Sequence, residues 1–126
     1  MTPRAKTVLV VDDSEILLEV ARFALEAEGY AVVTALNLDQ LEAQRTRHPP
    51  DLIVMDVQMP ESYGDDVAAV LRAVRGVRAP ILLFSSLGEH ELSERARIAE
   101  VEGYVPKSAG IEALVERINE LFGPSA

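Results

Sequence analysis

The stretch "LIVMDVQMP" (52–60) decides how the rest of the chain reads. Four apolar residues run straight into Asp56, and Pro60 follows four positions later. A short unbroken apolar run is the pattern of a strand buried on both faces, as at the middle of a parallel sheet. A carboxylate does not belong in such a run, because a buried charge is costly unless it is paired. Asp56 is therefore either the polar end of a strand or a residue held there for its chemistry.

Working outward, apolar runs alternate with helical patterns. "TVLVVD" (7–12) reads as a Val-rich strand that also ends in acid. Ser14 is placed to cap a helix to about residue 27, with Leu17, Val20, Ala21 and Ala24 on its inner face and Gly29 as a stop. A second strand covers 30–35. A second helix follows from Asn37, with Leu38, Leu41 and Ala43 inward, and it ends at "HPP" (48–50) because proline cannot continue it. The third strand is 51–56. After a loop with Pro60 and Gly64, Asp65 and Asp66 open a third helix, where negative charge suits the helix dipole. Its buried face reads as Val67, Val70, Leu71 and Val74, with a stop at Gly76; Arg72, Arg75 and Arg78 read as a solvated helix end.

"PILLFS" (80–85) is a fourth strand. A fourth helix (89–100) has only Leu92, Ala96 and Ala99 to bury. "GYVP" (103–106) is a short fifth strand whose proline suits an edge. Ser108 is read as the cap of a last helix carrying Ile111, Leu114, Val115, Ile118 and Leu121. Strict alternation of five strands and five helices implies an α/β fold, a parallel sheet with helices on both faces. The 126 residues suit one domain, and no repeat or internal linker is evident.

Composition narrows the function. Without cysteine there is neither a disulfide nor a thiolate metal site, and the reading is a reduced cytoplasmic protein. No signal-peptide pattern and no run long enough to span a membrane is seen. The net charge of −9, from 21 acidic and 12 basic residues, argues against nucleic-acid binding, which needs a basic face.

Ligands of open α/β sheets bind beyond the carboxyl ends of the strands. Strand one ends in Asp12 and Asp13, strand three in Asp56, strand four in Ser85 and Ser86, and Lys107 follows strand five. One strand ending in acid is ordinary. Four strands ending in complementary polar groups are not. Two carboxylates ~4 Å apart repel by about 4 kcal/mol at an effective dielectric of about 20, so either protons or a cation must join them. Hard oxygen ligands suit Mg²⁺. His48 and His90, at helix ends, do not form a zinc set. The first strand-to-helix turn, "VVDDSE", lacks the glycines of a phosphate-cradling loop. The whole set fits a carboxylate that accepts a phosphoryl group beside a metal, with a lysine and a hydroxyl holding the remaining oxygens.

"VLVVDDSE", "DLIVMDVQMPESYG", "PILLFSS" and "GYVPKS", in this order, resemble the receiver domain of two-component response regulators, the CheY-like family. The resemblance covers about 7–122 of a single receiver domain spanning 1–126. It implies a doubly wound five-stranded sheet in the order 2-1-3-4-5. It implies Asp56 as phosphoacceptor, with Asp12, Asp13, Asp56 and the backbone carbonyl of Gln58 around Mg²⁺. It implies Lys107 and Ser85 as phosphoryl contacts, Ser86 beside the phosphoryl group, and Ser85 and Tyr104 as switch residues. The implied partners are a sensor histidine kinase or phosphotransfer protein and an output protein or domain that reads the face of helix four, strand five and helix five. Homodimerisation through that face is left open. Lys107 is the only lysine available, since Lys6 begins strand one at the opposite end of the sheet.

Two departures stand out. The family's lysine is commonly followed by proline through a cis bond, whereas Ser108 follows here, so the loop is either trans and reshaped or strained. Leu87, two residues past Ser85, is apolar at a position that, in the family it resembles, tunes the access of water to the phosphoryl group, which implies slower dephosphorylation. Three other readings compete: a phosphorylation-independent interaction module, an aspartyl phosphohydrolase and a flavodoxin-like cofactor binder. Gln58 stands where the hydrolase would need a second acid, and the acidic first loop disfavours the cofactor binder.

Overall fold

The computed structural model describes residues 5–60, 63–73 and 75–123. Its elements are β1 (Thr7–Val11), α1 (Glu15–Ala27), β2 (Ala31–Ala35), α2 (Leu38–Arg47), β3 (Leu52–Met55), α3 (Gly64–Ala73), β4 (Ile81–Ser85), α4 (Glu89–Ala99), β5 (Gly103–Pro106) and α5 (Ile111–Phe122). All the strands pair in parallel, in the order β2-β1-β3-β4-β5. This is the expected doubly wound architecture, with β5 and its Pro106 at one edge.

Strand periodicity splits the core in two. Leu9, Val11, Ile53, Met55, Ile81 and Leu83 face α2, α3 and α4. Val8, Val10, Leu52, Val54, Leu82 and Phe84 face α1 and α5. β1, β3 and β4 are buried along their whole length, which is why they read as unbroken apolar runs.

Helix phases differ from expectation in detail. The buried line of α1 is Leu18, Ala21 and Leu25, and Val20 is 46% exposed. Rotating the stripe by one residue swaps Leu17 for Leu18 and Ala24 for Leu25 and turns Val20 outward, so the leucines take the position against the sheet. In α3, Ala68 and Leu71 are buried while Val70 is 50% exposed, because a small residue lets the helix approach the sheet closely. Ala43 of α2 is likewise exposed, and Val74 lies outside the described residues. The three residues expected on α4, Leu92, Ala96 and Ala99, are the ones it buries.

The end of the chain also differs. Ser108 does not cap α5. It lies in a 3-10 turn, Lys107–Ala109, and Gly110 at φ +91° turns the chain into α5 with no side-chain cap. Glycine enters that backbone region without steric cost. Every described peptide bond is trans, so the loop after Lys107 takes the trans, reshaped form.

Arg72 is not a solvated helix end. It ion-pairs with Glu102 at 2.7 Å and donates to the Ala79 carbonyl at 3.2 Å, and the same Glu102 oxygen accepts the Ile81 N–H at 2.8 Å. Arg72 thus ties α3 to the entrance of β4 and the loop before β5.

Candidate functional site

The sheet register assembles the site. β1 and β3 are neighbours with Val11 opposite Met55, so the next residues, Asp12 and Asp56, emerge side by side. The Asp56 N–H donates to the Val11 carbonyl at 3.0 Å and the Asp12 N–H to the Ala35 carbonyl at 3.1 Å, which extends the ladders past the strand ends and fixes both residues. Asp12 is 2% exposed and Asp56 is 3% exposed, whereas Asp13 faces solvent. Asp12 Oδ1 accepts the Ser14 N–H at 2.9 Å, and Ser14 caps α1 through the Leu17 N–H at 3.2 Å. The acidic turn is thereby locked to the first helix.

Lys107 comes from the far edge. β5 is separated from β1 by β4 and β3. Even so, its ammonium lies 2.8 Å from Asp12 Oδ2 and 3.5 Å from Asp56 Oδ2. The long apolar stem of lysine makes that reach available. Ser85 is fully buried at the end of β4, beside β3, and its Oγ accepts the Leu87 N–H at 3.4 Å. Gln58 donates its N–H to Asp56 Oδ1 at 3.2 Å, and its side-chain oxygen accepts the Ser86 hydroxyl at 2.7 Å. Leu87 leans on the α2–α3–α4 side of the core, as does Tyr104, which stands opposite Leu83 in the β4–β5 ladder.

Burial, followed by the charge of Asp12, pushes the Asp56 carboxyl above its ordinary value; Lys107 and the Gln58 N–H oppose this without cancelling it. Burial works against the charge of Lys107, but the hydrogen bond and charge of Asp12, with Asp56 behind them, raise it. Carboxylate oxygens of Asp12, Asp13 and Asp56 all lie within 4.8 Å of one another. Three hard, anionic donors, one of them open to solvent, fit a hard divalent cation that keeps some of its water. The donor set is unsuited to a softer metal, since no sulfur or imidazole belongs to it.

Residues 8–119 match the response regulator receiver domain. The chain belongs to that family. It is 32% identical over 120 residues to the polar-differentiation response regulator DivK of Brucella ovis, covering 94% of this chain and 97% of DivK. It also resembles the solved chemotaxis protein CheY4 of Vibrio cholerae, with 25% identity and a TM-score of 0.82 over 91% of this chain and 97% of CheY4. A receiver domain of a Francisella response regulator has the same fold, with a TM-score of 0.84 over 93% of this chain and 96% of that one at 24% identity. The receiver is thus a two-component signalling switch with the acidic pocket of a phosphoacceptor domain, rather than a turnover enzyme. Its family implies a histidine kinase as the class of partner. Among the described residues no helix is long and apolar enough to cross a membrane.

Two groups near the site were not legible in the chain. Tyr63 pairs with Gln58 in an isolated antiparallel bridge, and Arg95 of α4 covers the Tyr63 ring. Residues 58, 63 and 95 share no local spacing pattern, so only the fold brings them together.

Proposed function

We propose that Asp56 is the phosphoacceptor of this receiver, and that a histidine kinase or phosphotransfer protein supplies the phosphoryl group from a phosphohistidine. The observation that carries this is the setting of Asp56: buried, flanked by Lys107, and within 4.8 Å of the oxygens of Asp12 and Asp13. A carboxylate oxygen of Asp56 forms the new O–P bond as the donor's P–N bond breaks, and its electron pair returns to the imidazole nitrogen. Asp12, Asp13, Asp56 and the Gln58 backbone carbonyl would hold Mg²⁺, which supplies positive charge against the phosphoryl oxygens when bound. Lys107, already poised between the two buried carboxylates, takes the role of a phosphoryl contact. Ser85 turns its hydroxyl to another phosphoryl oxygen, and Ser86 lies beside the group at the rim.

The switch then acts through the equilibrium between two arrangements of the domain. Ser85 leaves its bond with the Leu87 N–H, and Tyr104 moves with it. The output face is α4, β5 and α5, where an open groove of about 510 Å³ is lined by Tyr104, Val105, Pro106 and Ala113. The same face is the one a homodimer would use. Residues 1–126 act as one receiver unit, in the cytoplasm, where a kinase can reach it.

Incubating the protein with Mg²⁺ and acetyl phosphate tests this reading by intact mass. The expected result is one base-labile phosphoryl adduct that is lost in Asp56→Asn and in chelator. No adduct on the wild type would leave a phosphorylation-independent interaction module as the better reading.

A further inference from the structure

Arg95 stands on α4 with its guanidinium carbon 4.9 Å from the centroid of the Tyr63 ring. The same guanidinium donates to both oxygens of Asp65, at 3.1 and 3.3 Å, in the first turn of α3. Glu91, one turn earlier on α4, accepts from its Nε at 3.3 Å and sets its direction. A planar guanidinium can do all of this together, because its face stacks on the ring while its edge donates. One side chain therefore joins α4 to α3 and to the loop that precedes α3.

That loop leads back to Asp56. Tyr63 is bridged to Gln58, and the Gln58 N–H donates to Asp56 Oδ1. Gln58 also holds Ser86, at the entrance to α4. The path Asp56–Gln58–Tyr63–Arg95 is contiguous, and Arg95 itself touches neither Asp56 nor Lys107. Tyr63 is 54% exposed, and its ring lies under the guanidinium. α4 is lightly anchored, with one leucine and two alanines buried, so a pull at Arg95 meets little resistance.

We propose that Arg95 is a positioning residue that couples the phosphoacceptor loop to α4, through its simultaneous grip on Tyr63 and Asp65. The inference rests on the reading of Asp56 as phosphoacceptor. Phosphorylating Asp56, which turns its carboxylate into an acyl phosphate, changes the charge on the oxygen that receives the Gln58 N–H. Gln58 then shifts, its bridge partner Tyr63 shifts with it, and the stacked guanidinium carries the displacement into α4. Thermodynamic linkage makes such coupling reciprocal, so altering Arg95 must change binding at a site it does not touch.

The test is amide NMR on the full chain, titrated with Mg²⁺ and then with Mg²⁺ plus beryllofluoride, a non-covalent phosphoryl mimic. In the wild type, the amides of Gln58 and Tyr63 and those of α4 are expected to move together. In Arg95→Gln the loop amides still move, the α4 amides move less than half as far, and beryllofluoride affinity changes by about fivefold. Tyr63→Phe keeps the ring and behaves as wild type, while Tyr63→Leu behaves as Arg95→Gln. The double variant Tyr63→Leu/Arg95→Gln is no worse than either single one. Should Arg95→Gln misfold, the Tyr63→Phe and Tyr63→Leu pair decides the matter. Undiminished α4 shifts in a variant whose loop responds, or additive losses in the double variant, overturn the coupling alone. A wild type whose loop and α4 both ignore beryllofluoride overturns the phosphoacceptor reading, and the coupling with it.

Discussion

The ammonium of Lys107 lies 2.8 Å from Asp12 Oδ2, closer than its 3.5 Å approach to Asp56 Oδ2. Lys107 is therefore a counter-ion of the acidic pair, held by the carboxylate that is not the proposed acceptor. A divalent cation at Asp12 must compete with it. Lys107→Met is expected to destabilise the metal-free protein by about 1–3 kcal/mol, less than the roughly 3–5 kcal/mol of a fully buried pair because the lysine is partly exposed to solvent. Mg²⁺ should restore more stability to the variant than it adds to the wild type. The raised pKa of Lys107 places its stabilisation in full at neutral pH, and that stabilisation is lost only as pH climbs through the folded value. Thermal unfolding with and without Mg²⁺ checks this; equal Mg²⁺ shifts in the two proteins would contradict it.

Asp56 gives the opposite sign. Burial and then Asp12 raise its pKa, so the folded state binds the proton more tightly than the unfolded chain does. Ionised Asp56 therefore costs stability, in full above its folded pKa, and the cost is relieved as pH falls toward its unfolded value. Asp56→Asn should melt higher than the wild type at neutral pH in chelator, and the two should converge in acid. A variant that melts lower at neutral pH, or a gap independent of pH, refutes the assignment.

Leu87 packs on the core beside Ser85, with its N–H on the Ser85 hydroxyl. An apolar side chain there offers no hydrogen bond to an attacking water. Leu87→Glu is expected to shorten the lifetime of the phosphorylated form several-fold, measured by decay of the adduct after donor removal. Equal lifetimes would remove Leu87 from the account.

Glu102 holds both the Arg72 guanidinium and the Ile81 N–H with one oxygen. Glu102→Ala strands a backbone donor at the head of β4 and should cost about 1–2 kcal/mol in chemical denaturation. Glu102→Gln keeps an acceptor for Ile81 and should cost less. Equal losses would place the stabilisation in the ion pair instead.

The strands and the motif aspartates were legible because their signals are local. An apolar run ended by acid is a buried strand reaching the mouth of the sheet, and 7–12 and 51–56 differ from the observed strands only at their ends. Helix faces were less legible. Val20 and Val70 have the right hydrophobicity for the inner faces of α1 and α3, yet the sheet accepted Leu18 and Ala68. Shape against the partner surface chose between neighbouring phases that composition leaves equivalent. Ser108 failed as a cap because the 3-10 turn after Lys107 places Gly110, not a hydroxyl, at the start of α5.

The chain by itself determined the alternation of elements, the sheet order implied by its family resemblance, and which polar residues stand at the strand ends. The alternation and the strand-end residues follow from periodicity and from the order of residues along one strand, whereas the sheet order came from the resemblance. Tertiary structure alone decided that Lys107 crosses two strands to reach Asp12, that Arg72 grips Glu102, and that Arg95 covers Tyr63. Each is a contact between side chains 30 or more residues apart, set by parallel register and helix packing. No local pattern of spacing encodes such distances.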